Sequence, residues 1–85
     1  MIVCVMDDLL FSIKIKNAAK SLGVDVYFER SAGVVEAVRA KQPRLVIVDL
    51  NADRLAPMAA IAALKADPEL RGIPTLGFVS HVDTA

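Results

Sequence analysis

The sequence predicts a single α/β domain in which helices lie on both faces of a parallel sheet. Two observations predict this fold class: uninterrupted apolar runs rich in β-branched residues, and helical patterns that alternate with those runs. Such runs are typical of strands buried on both faces of a sheet. Short strands separated by single helices require right-handed crossovers and parallel pairing. The 85 residues are enough for one domain, 1–85, with a thin core.

Four strands are predicted from the apolar pattern. The runs at 2–6 and 45–48 are uninterrupted and should form the central strands. At 24–28 apolar and polar side chains alternate, which predicts a strand with one wetter face near an edge. The fourth strand is predicted at 75–79 and follows Pro74, because proline is best tolerated at the start of a strand or at an edge.

Three helices are predicted between these strands. The first has apolar residues spaced four, three and four apart within 11–22, which is the pattern of an amphipathic helix. Ser31 is predicted to cap the second helix, and Pro43 lies just past its end. Pro57 suits the first turn of the third helix, which ends at Asp67.

Composition limits the classes of function. Ten basic residues balance ten acidic ones, so no net field draws the chain to nucleic acid or to an anionic membrane. The single cysteine, Cys4, lies in an apolar run and is interpreted as a buried packing thiol in a reducing compartment. The first apolar run has no basic residue before it, unlike a secretory signal. We therefore expect a cytoplasmic protein that binds neither nucleic acid nor membrane.

Three carboxylates lie at the ends of predicted central strands. Asp7 and Asp8 follow the first run, and Asp49 follows the run at 45–48. The carboxyl ends of neighbouring parallel strands meet at one crevice, where open α/β sheets bind ligands. The three carboxylates are therefore expected to share a pocket. In the alternative interpretation Asp7 or Asp8 caps the first helix and Asp49 is solvated at a strand end.

These motifs resemble the response-regulator receiver domain of two-component signalling. The resemblance rests on the acidic pair after the first strand, on the run LVIVDLN ending in Asp49 and Asn51, and on the segment IPTLGFVS. It implies a flavodoxin-like fold with strand order 2-1-3-4. Receivers have five βα units, whereas this sequence stops after the fourth strand. The resemblance therefore implies a truncated domain that lacks the last helix, strand and helix.

The resemblance also implies a chemistry for the pocket. Asp49 matches the phosphoacceptor, whose carboxylate attacks the phosphohistidine of a histidine kinase. Mg²⁺ is a hard cation commonly held by one or two carboxylates with water and phosphate oxygens. Its expected ligands are Asp7, Asp8, Asp49 and the backbone carbonyl of Asn51. Ser80 is the candidate for the switch hydroxyl that follows the phosphoryl group.

Departures from the receiver pattern make the pocket incomplete. Counted without a gap, Asp7 matches the main metal ligand and Met6 takes the place of the other acid. The hydroxyl position falls on Val79, and a bulge would be needed to restore Ser80. The family's lysine on the fifth strand has no counterpart here. We therefore do not expect this chain alone to act as a regulated switch, which needs two states that a ligand distinguishes.

Other enzymatic and cofactor-binding classes lack their motifs. The turn after the first strand contains no G-x-G-x-x-G or P-loop sequence, and its acids would repel phosphate. Ser80 and His81 have no G-x-S-x-G elbow, and His81 has no second His or Cys to complete a metal site. We therefore expect that the chain is not an enzyme.

An unpaired fourth strand predicts self-association. Without a fifth strand the fourth is an open edge, and without a fifth helix apolar sheet surface beside the first helix is uncovered. Open edges pair with other chains, and apolar patches usually mark interfaces. Because two-fold dimers are the commonest homo-oligomers, we expect a homodimer, with or without exchange of a helix or strand. The alternative function is a non-catalytic, self-assembling flavodoxin-like module.

Overall fold

The computed structural model describes residues 1–79 and confirms the α/β fold class. Four parallel strands form one sheet in the order β2-β1-β3-β4, the flavodoxin-like order predicted. The elements in chain order are β1 (Ile2–Val5), α1 (Leu9–Leu22), β2 (Val26–Glu29), α2 (Val34–Lys41), β3 (Leu45–Asp49), a short 3-10 helix (Asp53–Leu55), α3 (Pro57–Ala66) and β4 (Thr75–Phe78).

The first strand lies at the centre of the sheet and pairs with two neighbours. Ile2 lies opposite Val26 of β2 and opposite Leu45 of β3, and both pairings are parallel. On its far side β3 pairs with β4, where Asp49 lies opposite Phe78. Both uninterrupted apolar runs are therefore central strands, as predicted.

One face of the sheet packs against α2 and α3 and is called the two-helix face. Alternate residues of β1 and β3 lie here and are fully buried: Val3, Val5, Val46 and Val48. Helices α2 and α3 contribute Val34, Val38, Ala60 and Leu64, the 3-10 helix contributes Leu55, and the loops contribute Ala52 and Leu70. This is the main hydrophobic core of the described chain.

The opposite face packs against α1 and is called the one-helix face. Here Ile2, Cys4 and Ile47 of the sheet line an apolar cleft of about 200 Å³ together with Ile15 and Leu22 of α1. Cys4 is fully buried, as predicted, and burial raises the pKa of its thiol to about 11. Leu76 of β4, opposite Ile47 in the register, is 55% exposed. One helix therefore covers only part of this face.

The start of α1 and the start of β2 differ from prediction because of local hydrogen bonds. Helix α1 begins at Leu9, since Asp8 is its N-cap and the Asp8 Oδ1 accepts a hydrogen bond from the Phe11 N–H at 3.0 Å. Gly23 ends the helix in the left-handed region, with φ of 71°. The Val24 N–H then donates to the Ala19 carbonyl at 2.9 Å. Val24 therefore belongs to the helix cap, and β2 starts two residues later.

The prediction that Ser31 caps the second helix is wrong. The N-cap of α2 is Gly33, and the Ser31 hydroxyl accepts a hydrogen bond from the Gly33 N–H at 3.2 Å. The Ser31 N–H donates to the buried Glu29 carboxylate at 3.1 Å, so the serine shapes the turn before the helix. The third helix begins at Pro57, and Asp67 is its C-cap, as predicted.

An ion pair joins the end of α2 to the loop after α3. Arg39 pairs with the Asp67 carboxylate, whose Oδ1 also accepts a hydrogen bond from the Glu69 N–H at 2.9 Å. The Glu69 N–H and then Arg39 lower the pKa of Asp67 below its ordinary value. This contact links the two helices of the two-helix face where α2 ends.

Candidate functional site

Two of the predicted carboxylates follow neighbouring strands. Asp49 is the last residue of β3, and Asp7 lies two residues beyond the end of β1. The two strands are paired, with Val5 opposite Val48. From β1 the chain passes first to β2 on one side and later to β3 on the other. Asp7 and Asp49 therefore lie at the topological switch point, where open α/β sheets bind ligands.

Asp49 is a buried carboxylate with a fixed orientation. The residue is 2% exposed, so the alternative prediction that it is solvated at the strand end is wrong. Its Oδ1 accepts a hydrogen bond from the Asn51 N–H at 2.9 Å. Opposite it in the register is Phe78, whose ring stacks on that of Phe11 with centroids 5.3 Å apart. Asp49 is therefore enclosed by its neighbours at the carboxyl end of β3.

Asp8 has a local structural role at the same edge. Its side chain caps α1 and is exposed, which agrees with the helix-cap interpretation of the acidic pair. Within residues 1–79 no group of three or more His, Cys, Asp or Glu side chains is placed to hold a metal ion. The structure therefore does not bring Asp7, Asp8 and Asp49 together as one cluster.

Asp7 pairs with a residue that the sequence analysis did not identify. The Arg54 Nε donates to the Asp7 Oδ2 at 3.1 Å, and the side chains are 74% and 30% exposed respectively. Forty-seven positions separate the two residues, so no local pattern connects them. One feature of the sequence could have indicated this contact. Arg54 lies five residues after Asp49, the acid that ends β3, and the carboxyl ends of neighbouring parallel strands converge.

The segment that carries Arg54 is held by its own backbone and by the core. The Asp53 N–H donates to the Asn51 carbonyl at 3.0 Å, and the Leu55 N–H donates to the Ala52 carbonyl at 2.9 Å. Ala52 and Leu55 are buried in the two-helix face. This 3-10 helix was not predicted, and it places Arg54 beside the carboxyl end of β1.

The donor set at the switch point suits a hard cation. Asp7 and Asp49 carry carboxylate oxygens, and the Asn51 carbonyl accepts a hydrogen bond from the Asp53 N–H. Mg²⁺ is commonly bound by one or two carboxylates, with water filling the remaining positions. Asp7 and Asp49 thus carry oxygen ligands of this kind, but they are not part of a metal-holding group of three within residues 1–79, and Asp8 caps α1.

Two other positions of the receiver pattern, Met6 and Ser80, add no group to this site in the described residues. Met6, which takes the place of the second acid in the receiver pattern, is fully buried. Ser80, the candidate switch hydroxyl, lies outside the described residues, as does His81. Among the described residues, the hydrogen bonds at this edge of the sheet involve Asp7 with Arg54 and Asp49 with Asn51.

Comparison with known proteins identifies no family for the chain. No protein-family model matches the sequence, and no curated protein matches it. No helix within residues 1–79 combines the length and apolar content needed to cross a membrane.

Proposed function

We propose that the chain is a receiver-like domain of two-component phosphorelay signalling in which Asp49 accepts a phosphoryl group from a histidine kinase. The observation that carries this proposal is the position of Asp7 and Asp49 after paired strands at the switch point, with Asp49 buried and oriented. The resemblance of LVIVDLN to the receiver acceptor strand supports the same role. The buried thiol of Cys4, the single cysteine, supports a cytoplasmic location for this activity.

The proposed reaction uses the Asp49 carboxylate as nucleophile. One carboxylate oxygen attacks the phosphorus of a phosphohistidine, a P–O bond forms as the P–N bond breaks, and the leaving imidazole takes a proton from solvent. The Asn51 N–H holds the carboxylate in one orientation. Mg²⁺, when bound by Asp7, Asp49 and the Asn51 carbonyl, would offset the charge on the transferred group. Because Asp49 is 2% exposed, we expect slow transfer.

An NMR titration with Mg²⁺ followed by beryllofluoride, a phosphoryl mimic, tests this function. We expect amide shifts concentrated at Asp7, Asp49 and Asn51, which Asp49→Asn abolishes. Asp25→Asn is the matched control, because Asp25 is an exposed acid directly before β2, at the opposite end of the sheet. Absence of any response, or an equal response in the Asp49→Asn variant, would refute the proposal.

A second candidate function is a non-catalytic, self-assembling module that forms a homodimer. The specific observation in its favour is the exposed β4 edge of the described sheet, where Leu76 is 55% and Val79 is 56% exposed. Leu76 continues the apolar surface of Ile47 on the one-helix face. An open edge beside an apolar surface is a site of association in other proteins.

Size-exclusion chromatography with light scattering tests the dimer. We expect a dimer that Leu76→Glu converts to a monomer and that Met58→Glu leaves intact, since Met58 is an exposed apolar residue on α3. A monomer at every concentration would exclude this function. A dimer that shows no response to Mg²⁺ or beryllofluoride would favour the module over the receiver.

A further inference from the structure

The apolar cleft on the one-helix face lies between the sheet and the second half of α1. Ala18 and Ala19 of the helix and Cys4 and Ile47 of the sheet are among the residues that line its volume of about 200 Å³. The side chains of alanine and cysteine are short, so they leave space that a leucine in their place would fill. Small residues on both sides of this helix–sheet contact therefore account for the cleft.

The apolar cleft is open to solvent along α1. Leu22, which lines it, is 78% exposed, and Ala18 is also exposed. No charged residue contributes to its lining. Because removal of apolar surface from water is favourable, an alkyl group that enters the cleft gains free energy from its own burial and from covering Leu22.

A second cleft, of about 230 Å³, adjoins the apolar cleft and is called the basic cleft. The two clefts share three lining residues: Ala19, Val24 and Val26. The basic cleft adds two lysines of α1, Lys16 and Lys20, and one acid, Asp25. None of the ion pairs within residues 1–79 involves these three side chains. The basic cleft therefore carries a net positive charge beside an apolar space.

We propose that the two clefts together bind a free medium-chain carboxylate, with its alkyl chain in the apolar cleft and its carboxylate at Lys16 and Lys20. An apolar lining with a few polar groups that fix orientation is typical of small-molecule sites. Ile2 and Val26, which line the apolar cleft, are the first residues of their strands, whereas Asp49 is the last residue of β3. The inference therefore does not depend on phosphorylation of Asp49.

Chain length and head group determine the expected affinities. Each methylene that becomes buried should increase affinity about fourfold. Binding should therefore tighten from butanoate through hexanoate to octanoate and level off once the cleft is full. Lys16 and Lys20 are exposed, so octanoate should bind only up to about fivefold more tightly than the neutral octanol. Salt should reduce that difference, because it screens charges at the surface.

An NMR titration with monomeric octanoate tests the alkyl part of the site through the amide shifts of Cys4 and Ile47. Ala18→Leu fills the cleft from an exposed helix position and should weaken binding by about tenfold or more. Ala62→Leu makes the same change at an exposed position of α3 and should leave the affinity unchanged. A cooperative thermal melt of Ala18→Leu shows that the variant is folded.

A second set of variants tests the head group. The double variant Lys16→Gln, Lys20→Gln should bind octanoate no more tightly than octanol, while its affinity for octanol stays at the wild-type value. Lys14→Gln is the matched control, because Lys14 is an exposed lysine of α1 that lines neither cleft, and it should change neither affinity.

Several results would overturn the inference. They are no binding of octanoate by the wild type, equal binding by Ala18→Leu, an equal loss in Ala62→Leu, and affinity that does not increase with chain length. Equal affinity of the wild type for octanoate and octanol would exclude a carboxylate as the preferred ligand. Association with phosphatidylglycerol vesicles without binding of monomeric octanoate would assign the surface to a lipid bilayer and also overturn it.

Discussion

The two faces of the sheet use alternate residues of the same strands yet reach different degrees of burial. On the two-helix face Val3, Val5, Val46 and Val48 are fully buried, whereas on the one-helix face Ile47 is half-buried and Leu76 is exposed. Strand composition does not explain the difference, because both sets are apolar. The number of helices that cover each face explains the difference in burial. Stability should therefore come mainly from the two-helix face, and association from the one-helix face.

The largest effect is expected from a cavity in the two-helix face. Leu64→Ala removes a buried α3 side chain and should lower the free energy of unfolding by about 2–5 kcal/mol. Leu22→Ala removes the same atoms from an exposed position on α1 and should change it by less than about 0.5 kcal/mol. Urea denaturation measures both. Similar losses in the two variants would show that the faces contribute equally.

Crowding between β4 and its neighbour should have the next largest effect. A Cβ on Gly77 would lie 3.2 Å from both terminal methyl carbons of Leu50, so Gly77→Ala forces that side chain to shift and should cost roughly 1–3 kcal/mol. Leu76→Thr, one residue away on the open face, should be nearly neutral. Thermal melts compare the two variants. A more harmful change at Leu76 would indicate that something covers the open face.

Weakening α1 should affect the one-helix face selectively. Asp8→Ala removes the N-cap and should cost about 1 kcal/mol, whereas Asp8→Asn keeps a capping oxygen and should cost little. Thiol labelling of Cys4 at pH 8 is the second readout, because a buried thiol with a pKa of about 11 reacts only when this face opens. Labelling should accelerate in Asp8→Ala. Unchanged labelling would mean that α1 does not control access to Cys4.

The smallest effect is expected from the ion pair at the end of α2. The pKa of Asp67 is lower in the folded chain than its ordinary value, so its stabilising contribution is present above that ordinary value and is lost as pH falls through the folded pKa. In Asp67→Asn the free energy of unfolding should therefore decrease less as the pH is lowered. Glu69→Gln, whose carboxylate is more exposed, is the control. If Asp67→Asn loses as much stability at low pH as the wild type, other carboxylates are responsible for the loss.

Periodic features of the chain were predictable from the sequence. The apolar runs at 2–6 and 45–48 identified the central strands, and Gly23 and Pro57 marked helix boundaries that the structure confirms. These signals are local, since they depend on burial of consecutive residues or on backbone conformation at one position. The prediction for Ser31 was wrong because a serine before a helix can form hydrogen bonds within the preceding turn instead of capping the helix.

The contacts of the candidate site were predictable only in part. The position of Asp7 and Asp49 after neighbouring parallel strands was predicted, whereas the shared pocket of Asp7, Asp8 and Asp49 stays a prediction without a cluster in the described residues. The Arg54–Asp7 pair depends on the 3-10 helix, which has no periodic signature, and on the register between β1 and β3. Leu70 is buried from within a loop, where apolar residues carry no pattern. Contacts between distant loops were thus beyond the reach of local sequence signals.

The central position of β1 also orders events during synthesis. Among the four strands of the described sheet β1 is synthesised first, whereas its second neighbour, β3, is synthesised much later, since Ile2 pairs with Leu45. At about 5–20 residues per second, the roughly 40 intervening residues take about 2–8 s to translate. Throughout that interval the nascent chain carries an apolar strand that lacks one of its two neighbours. Because unpaired strand edges associate readily with other chains, the open side of β1 is exposed to such association until β3 is available to pair.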